Sequence, residues 1–192
     1  MAFLRPNYAK VVADLCKEQG GLPFLTDCNT LYPGSRKNAL EHLDCANLNG
    51  FNTITTGCQI IIGDGLRGTD EVEVPVVNGE YCKTALIGHA IMDADIFISL
   101  SHFKGHEATG FGGALKNIGM GCGSRAGKMQ QGRSGGGRSV LLPDRSDVIQ
   151  AEHGAAVAGG RQAPFAPLET GMFTFTLVLR LMAPGIGHLL AR

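Results

Sequence analysis

The sequence predicts an α/β domain: an open, mostly parallel sheet with helices on both faces, an edge β-hairpin and an irregular C-terminal tail. Three observations lead there. Short apolar runs, PFLTD, CQIIIGDG and DIFISLS, alternate with helical patterns, as in parallel strands covered on both sides. EVEVPVV and EYCKTALI flank Asn78–Gly79, the dipeptide that supplies positive φ at both centres of a two-residue hairpin turn. The composition then changes: residues 129–192 hold six arginines and no lysine, whereas residues 1–128 hold seven lysines and four arginines. The expected organisation is a core over 1–128 and a linker with an atypical tail over 129–192.

Each element has a local reason. RPNYAKVVADLCKEQGG reads as a helix whose apolar stripe is Val11, Val12 and Leu15 with Tyr8, stopped by Gly20–Gly21. PFLTD follows as a buried strand ending near Asp27. Ser35 is the expected cap of a second helix from Arg36 to about Asn49, stopped at Asn49–Gly50. The run CQIIIGDG is a second strand. Pro75 puts the hairpin at a sheet edge, where a missing N–H is tolerated. A short helix near Gly88–Ala94 leads into the strand DIFISLS, and HFKGHEATGFGG leads into a helix from Ala114. QQGRSGGGRS has no apolar residue and reads as a linker. FTFTLVLRL alternates as a strand would.

Global properties narrow the function. Lys plus Arg equals Asp plus Glu, at 17 each, so overall charge points to neither nucleic acid nor an anionic membrane. The apolar C-terminal stretch is broken by Arg180, Pro184 and His188, and the N-terminus lacks a secretory pattern. A cytoplasmic location without a membrane span is expected. The six cysteines, Cys16, Cys28, Cys45, Cys58, Cys82 and Cys122, form no C-x-x-C pair. Zinc and iron–sulfur loops draw two or more ligands from one short segment, so no metal site is assigned. Cys16, Cys45, Cys58 and Cys82 read as small buried residues. Cys122 alone, near Arg125 and Lys128, reads as a reactive thiol.

Chemistry in open α/β sheets gathers beyond the carboxyl ends of strands. Three such ends carry polar groups here: Asp27 with Asn29 and Thr30; Asp64; and His102 with Lys104 and His106. After the third, Gly110, Gly112 and Gly113 precede a helix start whose free N–H groups suit a small anionic ligand, with Lys104 and Lys116 adding positive charge. Asp27 and Asp64 complete the expected anion site, and His102, Lys104 and His106 are the candidate catalytic residues. Lone turn aspartates also have a structural reading, since they bond their own backbone. The segment is neither a Walker loop nor a dinucleotide fingerprint.

These segments carry a resemblance. RPNYAKVVADL, PFLTDCNTLYPGSRKNALEHL, GDGLRGTDEVEVPV and FISLSHFKGHEATGFGGALKNIGMGCGSRAGK resemble the uncharacterised iron–sulfur-centre proteins, a bacterial and archaeal family described as a domain of unknown function. The resemblance runs from about Leu4 to Met129. It implies an electron-transfer scaffold, a 4Fe-4S cofactor and a redox partner protein. It also implies an N-terminal section with an additional strand, and a ferredoxin-like module with C-x2-C-x2-C-x3-C motifs after G-S-R-A-G-K. No cysteine follows Cys122 in this chain, so the tail cannot supply thiolate ligands; a shifted reading frame or a joined segment is expected there. The functions in competition are a redox scaffold whose cluster-binding module is missing, an anion- or nucleotide-binding enzyme using the glycine-rich segment, and an inactive truncated remnant.

Overall fold

The computed structural model describes residues 4–78, 82–106, 110–133 and 176–181. The α/β class is as the sequence predicts, and the sheet is built around one parallel pair. β1 (Gly21–Asp27) and β2 (Gln59–Ile62) run parallel, with Phe24 level with Gln59 and Asp27 with Ile62. The main sheet has the order β2-β1-β8-β5. β8 (Thr176–Leu181) lies antiparallel to both β1 and β5 (Ile96–Ser99). Thr176 pairs with Thr26 on one side and Ser99 on the other, so β1, β2 and β5 share one direction and their carboxyl ends share one edge. The strand expected in FTFTLVLRL thus enters the middle of the sheet. The remaining tail positions, 134–175 and 182–192, lie outside the described residues.

α1 (Pro6–Glu18) starts with proline in its first turn, where a missing N–H costs nothing. It packs on β1 through Ala9 and Ala13, both buried, while Tyr8, Val11 and Leu15 face outward. Of the predicted stripe only Val12 packs against the core; the other three are exposed, because two alanines four residues apart let the helix lie closer to the sheet. Ala9, Ala13, Leu25, Ala46, Phe51 and Cys58 form the main core, joined by Ile60 and Ile98. α2 (Ala39–Leu48) is capped by Asn38, whose side chain accepts the Glu41 N–H at 3.1 Å. The start moves three residues past the Ser35 cap because Asn38 makes this bond. Gly50, at φ 83°, ends the segment as predicted. α3 (Thr53–Thr56), which the sequence pattern did not suggest, is one turn capped by Asn52.

β3 (Glu71–Pro75) and β4 (Thr84–Gly88) form the expected hairpin, with Pro75 opposite Thr84 at the end of the ladder. Asn78 takes a left-handed φ of 59°, but the register differs from that of the predicted two-residue turn. Asn78–Gly79 alone at the bend would set Pro75 opposite Cys82, not Thr84, and residues 79–81 lie outside the described residues. The hairpin is its own two-stranded sheet rather than an edge of the main one. α4 (His89–Met92) follows it. The glycine-rich segment is a ribbon, not a simple turn: β6 (Lys104–His106) pairs with β7 (Gly110–Gly112) before α5 (Ala114–Cys122) begins. α6 (Arg125–Arg133) runs into the segment predicted to be linker.

The G-S-R-A-G-K motif is a seam. Ser124 donates its N–H to Leu86 O (3.0 Å), and its hydroxyl accepts the Gly127 N–H (2.9 Å). A Cβ at Gly127 would sit 2.3 Å from Leu86 O, so only glycine lets α6 approach β4 this closely. Gly127→Ala is expected to lower the free energy of unfolding by about 2–3 kcal/mol. Gly105→Ala, which meets nothing within 4 Å, should stay within about 0.5 kcal/mol. Urea denaturation of both variants checks the difference.

Candidate functional site at the carboxyl edge

β1 does not become polar gradually as it leaves the sheet: Asp27, Cys28, Asn29 and Thr30 are all buried. They are held by the loop after β2, Gly63–Asp70. Asn29 donates both its backbone N–H (2.9 Å) and its amide (2.8 Å) to Asp64 Oδ1, and the amide also reaches Gly65 O at 2.9 Å. Gly63 N–H continues the ladder to Asp27 O. The same loop accepts Ala39 N–H at Leu66 O, Arg125 N–H at Gly68 O and Ala90 N–H at Gly63 O. It therefore joins α2, α6 and α4 to the strand ends. Gly65 and Gly68 adopt left-handed φ values of 71° and 76°, and a Cβ on Gly68 would strike the Arg125 side chain at 2.4 Å.

The charges beneath this loop are paired unevenly. Asp27 Oδ1 accepts the Cys28 N–H, while Oδ2 lies 3.4 Å from Arg36 and 3.6 Å from His42 Nε2. His42 is wholly buried on α2, and neither ring nitrogen has a hydrogen-bond partner among the described residues. Buried Lys128 donates to Gly123 O at the end of α5, at 2.6 Å, where a cation meets the negative helix terminus. Asp64 is fully buried; burial pushes its carboxyl up, against the opposing pull of the Asn29 donors and Lys128. Asp64 Oδ2, Asn29 Oδ1 and Thr26 Oγ1 also find no partner among the described residues. A buried polar atom left unmet costs about 1–3 kcal/mol, so the cluster is expensive for the fold and ready to bond.

Cys28 and Cys122 lie together where β1 meets α5: Cys28 N–H bonds Gly121 O at 3.0 Å, and Cys28 Sγ lies 3.4 Å from Cys122 O. The predicted reactivity of Cys122 is overturned. Burial pushes its thiol up to about 12, and Asp27 adds to this; Lys128 pulls the other way without reversing it. Burial likewise raises Cys28, Cys58 and Cys16. A 4Fe-4S cluster needs several thiolates converging. Among the described residues no three His, Cys, Asp or Glu side chains gather as metal ligands. The described cysteines do not fit the cluster that the resemblance implies.

The predicted site residues fall into two groups. Asp27 and Asp64 sit in the buried cluster. His102 is exposed in the loop after β5, and Lys104, His106, Gly110 and Gly112 lie in the β6–β7 ribbon. Gly113 is the N-cap residue of α5, and Lys116 is half-buried in its first turn. α5 separates the groups: Gly113 stands at its start, while Gly121 near its end bonds Cys28. Nine helical residues span about 13 Å. Lys104–His106 is strand, so His102 and His106 do not share a helical face. His42 and Arg36 were not predicted. An ionisable residue inside the apolar face Ala39, Leu40, Leu43 and Ala46 was the signal that could have found His42.

Two pH dependences follow from the cluster. An unfolded chain ionises Asp64 near 3.8 and the folded chain ionises it later. Stability from this group therefore falls as pH rises from 3.8 through the folded value, and Asp64→Asn should remove that slope in urea titrations. Unfolded thiols ionise near 9.0, whereas folded Cys122 ionises only toward about 12. Stability should fall again as pH rises from 9 to 12, less steeply in Cys122→Ala.

A model of one protein family, described as domain of unknown function (DUF362), matches residues 1–177. The match continues past Met129 and includes the first residues of β8. No curated protein and no solved structure matches the chain. With nearly the whole sequence covered by the family model, the chain belongs to the DUF362 domain-of-unknown-function family.

Proposed function

We propose that this chain is the ligand-binding α/β scaffold of a redox protein, with a small polar ligand held at the carboxyl edge of β1 and β2 and the iron–sulfur clusters carried outside the chain. The single observation supporting the binding half is the set of buried atoms at that edge without a hydrogen-bond partner among the described residues: Asp64 Oδ2, Asn29 Oδ1 and both nitrogens of His42. Several of these are acceptors, and two carboxylates repel an anion. The group that fits beside Asp64 is therefore a hydrogen-bond donor such as an amine, amide or hydroxyl. Arg36, half-buried over Asp27, offers the second charge that would orient a bifunctional ligand. The redox half rests on the resemblance of the SHFKGHEATGFGG and GSRAGK segments to iron–sulfur-centre proteins.

A second reading, an anion- or nucleotide-binding enzyme, is favoured by one observation. Gly113 gives α5 no side-chain cap, and a helix start of this kind favours an anion; Lys116 lies in the same turn.

A thermal-shift screen of amines, amides, polyols, carboxylates and phosphates separates the two. Under the first reading, a donor-bearing compound raises the melting temperature by about 4 °C or more, and Asp64→Asn combined with His42→Ala abolishes the shift. Under the second, phosphate or a nucleotide gives the shift and Lys104→Ala with His106→Ala abolishes it. Iron bound in stoichiometric amounts after anaerobic reconstitution of this chain would contradict clusters carried elsewhere.

A further inference from the structure

The three loops that leave the carboxyl edge differ sharply from the cluster beneath them. The loop after β1 exposes Tyr32 and Lys37, the loop after β2 exposes Leu66 and Arg67, and the loop after β5 exposes His102 and Phe103. Arg125, part-exposed at the start of α6, joins the second loop through its N–H bond to Gly68 O. The apolar members are well out in solvent: Tyr32 is 44 %, Leu66 58 % and Phe103 73 % exposed. Among the described residues of these loops the exposed carboxylate is Asp70, already bonded to His89 Nδ1 at 2.9 Å. Asp27 and Asp64 are buried below. The rim formed by the three loops and the start of α6, in a chain with zero formal charge, thus carries Lys37, Arg67 and Arg125 together with exposed Tyr32, Leu66 and Phe103.

We infer that this rim is a docking surface for an acidic protein face with exposed aromatic or aliphatic residues. Charge complementarity selects the sign of the partner: Lys37, Arg67 and Arg125 come from separate elements, and no free acid in the described loops opposes them. Composition selects its class. Protein interfaces are enriched in Tyr, Phe and Arg and depleted in Asp and Glu, and apolar anchors contribute the binding while rim charges steer the encounter. Nucleic acid fits less well, since sequence-independent affinity for it rests on many phosphate contacts and only a few cations stand here. The rim side chains are exposed, whereas Asp27 and Asp64 of the cluster are buried beneath them.

The test is biolayer interferometry with the full chain as analyte over three immobilised polymers: a random poly(Glu,Tyr) copolymer, poly(Glu) and oligo(dT). The expected order is poly(Glu,Tyr) above poly(Glu) above oligo(dT), with poly(Glu,Tyr) binding weakened about tenfold between roughly 50 and 300 mM salt. Lys37→Glu with Arg67→Glu should weaken it by at least about tenfold. Tyr32→Ser with Phe103→Ser should reduce poly(Glu,Tyr) binding to the poly(Glu) level. Wild-type binding that is absent or insensitive to salt, or unchanged by the charge reversal, overturns the inference. Tighter binding to oligo(dT) than to poly(Glu,Tyr) overturns it in favour of nucleic acid.

Discussion

The bond on which most of the architecture depends is the one Asn29 makes twice to Asp64. A backbone N–H and a side-chain amide converge on one buried carboxylate oxygen, fixing the end of β1 to the loop after β2. Charge-assisted bonds of this kind are about twice as strong as neutral ones, and here they oppose the cost of burying the carboxylate. Because the loop also accepts N–H groups from α2, α4 and α6, its placement propagates. Without Asp64 at that position, three helices lose their common anchor.

Close backbone approach is the second constraint, and it explains glycines that no turn requires. Cβ atoms at Gly88 and Gly127 would meet the Gly63 carbonyl group at 2.7 Å and Leu86 O at 2.3 Å. These contacts bring the hairpin against the loop after β2 and against α6. The long motif around Gly121–Lys128 therefore needs no catalytic explanation: Gly121 O receives Cys28 N–H, Gly123 O receives Lys128, Ser124 caps α6 and Gly127 admits β4. Its cysteine is a packing residue, since Cys122 shares a small core with Cys28 and Ile91.

Both proposals concern one edge because three strands point toward it. The arrangement has two layers of opposite character, buried carboxylates with His42 below and exposed cations with apolar side chains above. The proposed binding of a donor-bearing ligand and the proposed docking of an acidic protein are compatible on these grounds. The lower layer is shielded from solvent, where charge interactions are strongest, and the upper layer is where steering acts. A scaffold that held a small molecule below a docking face would suit transfer between that molecule and a partner.

Sequence by itself determined the local elements, because their causes are local. Gly20 and Gly50 mark helix ends, Asn78 supplies positive φ, and the apolar runs around Leu25, Ile61 and Ile98 are strands at first reading. It also marked Asp27 and Asp64 as strand-end residues. Only the tertiary structure decided which face of α1 packs, since that depended on Ala9 and Ala13 allowing a shorter distance to β1. It alone separated Gly113 from Cys28 by the length of α5, buried Cys122 beyond reactivity and brought His42 and Arg36 to Asp27. The reason is physical: burial and charge pairing depend on distances between residues far apart along the chain, and spacing in sequence carries no such distance.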